Sequence, residues 1–139
     1  TGLLVRSFRP ETHQRLEILL DCSGRSGARY GDRTLLDYTI DAVAHLVRVA
    51  VQHRDEVGLF AFGHIPFAVV RNTSSRRQEQ RITEALVGLA PGELEVDFDL
   101  AAEHARGLPR RSLLLLLTSI ADSGAPEELY RLLAPLRAK

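Results

Sequence analysis

Apolar positions recur along this chain in two rhythms, and each change of rhythm marks an element. Leu16, Ile18, Leu19 and Leu20 form a nearly continuous apolar run, the pattern of a strand covered on both faces. Val57-Gly-Leu-Phe-Ala-Phe62 repeats that pattern, and Ser112–Thr118 is the most apolar stretch of all. Between the first two runs, Leu36, Ile40, Val43, Val47 and Val51 recur at spacings of four and three, one face of a helix of about five turns. Thr34 with Asp37 three residues on predicts a capping box at its start, and His53-Arg-Asp-Glu56 ends it.

The remaining elements follow from shorter signals. Leu3–Phe8 reads as an edge strand closed by Pro10. Gly63 and His64 predict a tight turn from Phe62 into an antiparallel strand, Ile65–Val70. Asn72-Thr-Ser-Ser75 supplies serines to cap a helix whose inner face is Ile82, Ala85, Leu86 and Leu89. Pro91-Gly92 breaks the chain, and Glu93, Glu95, Asp97 and Asp99 are acidic at every second position. A short helix is expected from Asp99 to about Arg106. A last helix starts near Pro126 with Leu129, Leu132, Leu133 and Leu136 inward, and ends at Pro135. The order β, β, α, β, β, α, α, β, α predicts a single domain over 1–139, an α/β fold built on a mainly parallel, doubly wound sheet. Such a sheet normally gains another strand after its last helix, so truncation at Lys139 is expected, as is excision from a longer protein, since no methionine is present.

Composition removes several function classes. Eighteen basic and eighteen acidic residues cancel, so no electrostatic footprint for nucleic acid or an anionic membrane is expected. One cysteine excludes an internal disulfide and fits a reducing compartment. No apolar run approaches the roughly 20 residues that span a bilayer.

Sites fare little better. Gly24, Gly27 and Gly31 miss the dinucleotide spacing, and no lysine serves a phosphate loop. A cysteine phosphatase needs an arginine six positions after its nucleophile, yet counting from Cys22 that position is Ala28, with Arg29 one residue too far. His13, His45, His53, His64 and His104 lack metal-site spacing, and each reads as solvent-facing or merely packed. Ser23 has no histidine near it in sequence, and Asp97 and Asp99 read as helix caps. A small hydrolase or phosphatase using Cys22 or Ser23 therefore stands only as an alternative. The informative place is Asp21-Cys-Ser-Gly24, where the first buried strand would meet solvent at its carboxyl end, the position at which open α/β sheets bind ligands.

Asp21-x-Ser23 after a buried strand, Val57–Gly63, Asp99-Leu-Ala-Ala102 and Leu114–Thr118 occur in an order that resembles a von Willebrand factor A domain. With the lead-in Leu4–Glu11, the chain is more closely similar to the bacterial family called domain of unknown function 58. The resemblance implies a Rossmann-like sheet flanked by helices, used for protein–protein contact. It also implies a metal-ion-dependent adhesion site, in which Mg²⁺ is held by Asp-x-Ser-x-Ser, a threonine from a second loop and an aspartate from a third.

Carried onto this chain, Asp21 and Ser23 match, but the second serine position is Arg25, with Ser26 one residue on. The threonine position is Phe98, just before Asp99, and the third-loop aspartate is Ser119. Octahedral oxygen coordination at about 2.0–2.1 Å cannot be completed from such a set, so no cofactor is expected. A slipped register drawing on Asp21, Ser23 and Ser26, with Asp122, is the route by which Mg²⁺ would return as an adhesion-type ion. Arg25 is expected to replace the cation by pairing with Asp21 or Asp99.

The expectation is thus a non-catalytic docking module presenting Ser23–Arg33, Glu93–Phe98 and Ser119–Gly124 to a protein partner. By resemblance, that partner is a MoxR-type AAA+ ATPase, in the cytoplasm, with the parent chain anchored to the inner membrane and this fragment making no direct membrane contact.

Overall fold

A computed structural model describes residues 13–119. The expected strand Leu3–Phe8, the final helix and the segment beyond Ser119 lie outside the described residues. The central sheet begins with β1 (Arg15–Asp21), followed by a single 3-10 turn at Gly24–Gly27 and a miniature hairpin of β2 (Arg29–Tyr30) and β3 (Arg33–Thr34). Helix α1 (Leu35–Gln52) leads to β4 (Glu56–Phe62) and β5 (Pro66–Thr73). Helices α2 (Gln78–Val87) and α3 (Phe98–Arg106) precede β6 (Ser112–Leu117). The described sheet has the order β5-β4-β1-β6. β1 runs parallel to β4 and β6, and β5 is antiparallel to β4.

The two faces of β1 separate by residue parity, as strand geometry demands. Leu16, Ile18 and Leu20 pack with Leu36, Val43 and Val47 of α1 and with Ile82 and Leu86 of α2. Leu19 turns to the opposite face with Phe60, Phe62, Phe98 and Ala101, where α3 lies. Each such fully buried aliphatic side chain contributes roughly 1.5–3 kcal/mol relative to exposure. Helices therefore cover both faces of a mostly parallel sheet, as expected from the alternation of strand and helix patterns.

Helix α1 starts as its sequence predicts. Thr34 Oγ1 accepts from the Asp37 N–H at 3.1 Å, and Asp37 Oδ2 accepts from the Thr34 N–H at 2.9 Å. That reciprocal pair holds the Asp37 carboxyl below its ordinary pKa, the Thr34 backbone N–H contributing most. At the other end, Asp55 N–H bonds Ala50 O and Arg54 N–H bonds Val51 O, both at 2.9 Å. This is a Schellman closure in which Arg54, rather than glycine, adopts φ 62°.

Helix α2 differs from expectation. Its N-cap is Arg77, with no side-chain cap, and Ser75 Oγ serves one residue early by accepting from the Arg77 N–H at 3.2 Å. Gln78, wholly buried, does the anchoring instead: its Nε2 donates to Val57 O at 2.6 Å and Arg71 O at 2.8 Å. Those carbonyls are released by the register shift between β4 and β5 at Val57/Leu59, so a carboxamide fills a gap in the ladder.

The feature of the fold that no motif announces is a carboxyl side chain inside the sheet. Glu17 is 2% exposed in the middle of β1. His104 Nε2 donates to its Oε2 at 2.6 Å, and Asn72 Nδ2 donates to its Oε1 at 2.9 Å. The His104 ring also stacks on Phe60, centroids 4.2 Å apart. His104, expected to be solvent-facing or merely packed, is thus a hydrogen-bonding anchor between α3 and the sheet. Gly58, opposite Glu17 in the parallel register, makes this possible, because a Cβ there would collide with Glu17 Oε1 and with Asn72.

Candidate functional site

The carboxyl end of β1 delivers Asp21, Cys22 and Ser23 to the rim of the sheet, all buried. Both carboxylate oxygens of Asp21 accept hydrogen bonds. Its Oδ1 accepts from the Ser23 N–H at 2.8 Å, and its Oδ2 accepts from the Thr118 hydroxyl at 2.5 Å. Thr118 stands one residue past β6, so the bond ties together the ends of two neighbouring parallel strands.

Around this bond the loops are stitched by backbone. Cys22 O accepts from the Gly92 N–H at 2.8 Å, and the Gly24 N–H donates to Leu94 O at 2.9 Å. A Cβ at Gly24 would meet Glu93 O at 3.3 Å, and one at Gly92 would meet Cys22 O at 3.2 Å, so two glycines allow the close approach. The Asp97 N–H donates to Gly63 O at 2.9 Å, which adds the end of β4 to the same rim. Ser26 Oγ donates to Ser23 O at 2.7 Å and tightens the 3-10 turn.

Each residue of the expected site can now be placed. Asp21 and Ser23 lie together at the rim. Phe98, at the threonine position, is 7% exposed and packs with Leu19, Phe60 and Phe62 as part of the core. Asp97 caps α3 by accepting from the Asp99 N–H at 3.0 Å, while the Asp99 side chain is exposed on the first turn. Arg25 is half-buried in the 3-10 turn and has interactions of its own. The described bonds of Asp21 come from a hydroxyl and an amide, and the expected pairing with Arg25 is not among them. Ser119 follows Thr118 and is half-buried, and Asp122 lies outside the described residues. Of the three segments expected to share the face, Ser23–Arg33 and Glu93–Phe98 do meet. The residue that sequence reasoning passed over is Thr118, read there as the end of a strand.

Fit to a divalent ion can be tested on these atoms. Phe98 supplies no oxygen, one Asp21 oxygen is engaged by Thr118, and Ser26 Oγ is turned onto a backbone carbonyl. Among the described residues no group of three His, Cys, Asp or Glu side chains could hold a metal ion. The described donors alone do not complete an octahedral Mg²⁺ shell, and Asp122 lies outside the described residues. One atom stands apart: Ser23 Oγ is buried with no hydrogen-bond partner among the described residues.

Cys22 is wholly buried, and its thiol is pushed up to about 12, first by burial and then by the Asp21 charge. A thiol held protonated in this way is a poor nucleophile at neutral pH. It fills space beside the strand end.

A scan of the sequence against protein-family models finds no match, and a search of curated proteins finds none either. Solved structures do match. The conserved hypothetical protein BatB from Bacteroides thetaiotaomicron superposes with a TM-score of 0.64 at 18% identity, over 88% of this chain and 62% of that one. The SpRpn10 VWA domain superposes with a TM-score of 0.58 at 16% identity, over 91% and 70%. An uncharacterized membrane spanning protein from Vibrio fischeri gives 0.53 at 16% identity, over 86% and 65%. The chain spans less than two-thirds of the first and third of these proteins. The likeness establishes the fold: a Rossmann-like, von Willebrand factor A-like arrangement of sheet and helices.

Proposed function

We propose that this chain is a non-catalytic protein-docking module that engages its partner through the carboxyl rim of the sheet, without a bridging metal. The observation that carries the reading is the bond from Thr118 to Asp21. In the adhesion-type arrangement, the ion would join the strand ends and present a vacant coordination position to a partner's carboxylate. Here a side-chain hydroxyl joins them. The rim segments expose Tyr30 at 58% and Leu94 at 57%, with Arg25 and Arg29 preceding Tyr30, Glu93 and Glu95 flanking Leu94, and Asp99 on the first turn of α3. Exposed aromatic and aliphatic groups ringed by charge are what protein hot spots use.

The finer reading belongs to the same proposal. Its sequence motifs resemble those of the domain of unknown function 58 family, and a MoxR-type AAA+ ATPase is the partner that resemblance suggests, in assembling or activating a larger complex. The Vibrio fischeri neighbour is named as spanning a membrane. A parent protein held at a membrane is in keeping with that name, and the inner membrane with this domain in the cytoplasm is the arrangement the family resemblance suggests. No helix among the described residues is long and apolar enough to cross a membrane.

One observation favours a second reading, Mg²⁺-dependent adhesion. The unpartnered Ser23 Oγ is the kind of atom a cation or a partner's polar group would satisfy. Photo-crosslinking separates the two. A benzoylphenylalanine at Leu94, with one at His13 beyond the opposite end of β1 as control, is combined with the MoxR-type ATPase of the same genome. Docking at the rim predicts a crosslink from position 94 alone, of equal yield with excess EDTA or Mg²⁺. A crosslink that requires Mg²⁺ supports adhesion instead, and equal crosslinking from both positions contradicts docking at the rim.

A further inference from the structure

We infer that the outer edge of β5 is a second docking surface, which takes an acidic, extended peptide as an added strand. The inference does not rest on the rim. It starts from the edge itself: among the described residues β5 pairs with β4 on one side and with no strand on the other. Natural edge strands are usually blunted by proline, charge or bulges. In β5 those devices sit at the ends, with Pro66 at the first residue and register shifts opposite Phe62 and Gly58. Between them Ala68, Val69 and Val70 run in unbroken register with Ala61, Phe60 and Leu59. Val70 packs toward the α2 side, while Val69 points the other way and is 59% exposed.

The chemistry of the occupant follows from charge. An open groove of about 640 Å³ runs along this edge, lined by Val69, Val70, Arg71, Thr73, Arg81 and Glu84. Arg76 and Arg77 follow β5 directly, and Arg77 and Arg81 are four apart, on one face of α2. All four arginines are exposed, and among the described residues none forms an ion pair, whereas Arg15, Arg33 and Arg48 each do. Like charges one helical turn apart oppose each other unless something anionic lies across them. With zero net charge on the chain, this is a local concentration rather than a general affinity for polyanions. Glu84 inside the groove opposes a continuous phosphate backbone but tolerates a peptide whose carboxylates are spaced. An added strand would alternate its side chains, setting carboxylates against Arg71 on one face and Arg81 on the other, with its backbone on the β5 ladder.

The test uses the whole chain and a fluorescein-labelled eight-residue peptide in which pairs of Glu alternate with pairs of Val, so that an extended strand matched to β5 carries carboxylates on both faces. Anisotropy should report saturable binding that weakens about tenfold or more in Arg71→Glu and in Arg81→Glu. Amides of Ala68–Val70 should gain hydrogen-exchange protection, a readout that a merely electrostatic contact elsewhere would not move. The inference is overturned if no binding is seen, or if the Lys/Val version binds as well. It is overturned equally if a peptide N-methylated along one edge keeps full affinity, or if a single-stranded oligonucleotide binds the groove in the peptide's place.

Discussion

Thr118 and Asp21, 97 positions apart in sequence, meet hydroxyl to carboxylate at 2.5 Å across the ends of β6 and β1. Asp21 is 5% exposed, so the donor replaces water that the carboxylate has lost. Thr118→Val keeps the shape and removes the donor. A hydrogen bond to a charged, buried acceptor is worth about 2 kcal/mol, and the urea midpoint should fall accordingly with the m-value unchanged. An unchanged midpoint would mean that the bond does not hold the rim together.

The interior pair makes a larger prediction. His104→Ala leaves Glu17 buried with only the Asn72 amide for company, and the cost should be of order 3 kcal/mol. Glu17→Leu combined with His104→Leu removes both polar partners and should recover much of that loss, which a double-mutant cycle measures as coupling. Gly58→Ala is expected to destabilise through the same site, by about 1–3 kcal/mol, because Glu17 and Asn72 occupy the space its methyl needs.

Cys22 gives a pH dependence with a definite sign. Its folded pKa is raised from 9.0 to about 12, so the folded state resists an ionisation that the unfolded chain undergoes. The associated stability is complete below 9.0 and is lost as pH rises from there toward about 12. Cys22→Ala should flatten that part of the stability profile. At pH 8 a thiol reagent should label the native protein no faster than it unfolds.

Arg54 occupies the left-handed position that closes α1, at φ 62°. A side chain there costs roughly 1–2 kcal/mol, partly offset by the extra freedom glycine has when unfolded. Arg54→Gly should therefore stabilise by up to about 1 kcal/mol in thermal melts. A neutral or destabilising result would show that Arg54 makes a compensating contact.

These residues also mark where sequence reasoning reached and where it stopped. The Thr34–Asp37 box was legible because both halves of a cap are three residues apart and involve backbone. The strands β1 and β4 were legible because strands buried on both faces cannot carry an alternating polar pattern. The Glu17–His104 pair spans 87 positions, and its one local sign was a carboxylate in the middle of an apolar run. Thr118 was overlooked because the resemblance directs attention one residue on, to Ser119. The α2 cap failed for a different reason: the ladder gap filled by Gln78 set where the helix docks, and the serines upstream had no part in that. Local rules captured the elements and their order, while long-range polar contacts decided the character of the rim.

The central claim is that Asp21 is satisfied by protein rather than by a cation, and calorimetric titration of the chain with Mg²⁺ and Mn²⁺ tests it most directly. The account predicts no saturable one-to-one heat, and the same trace for Asp21→Asn. Stoichiometric binding of either ion that disappears in Asp21→Asn would contradict it.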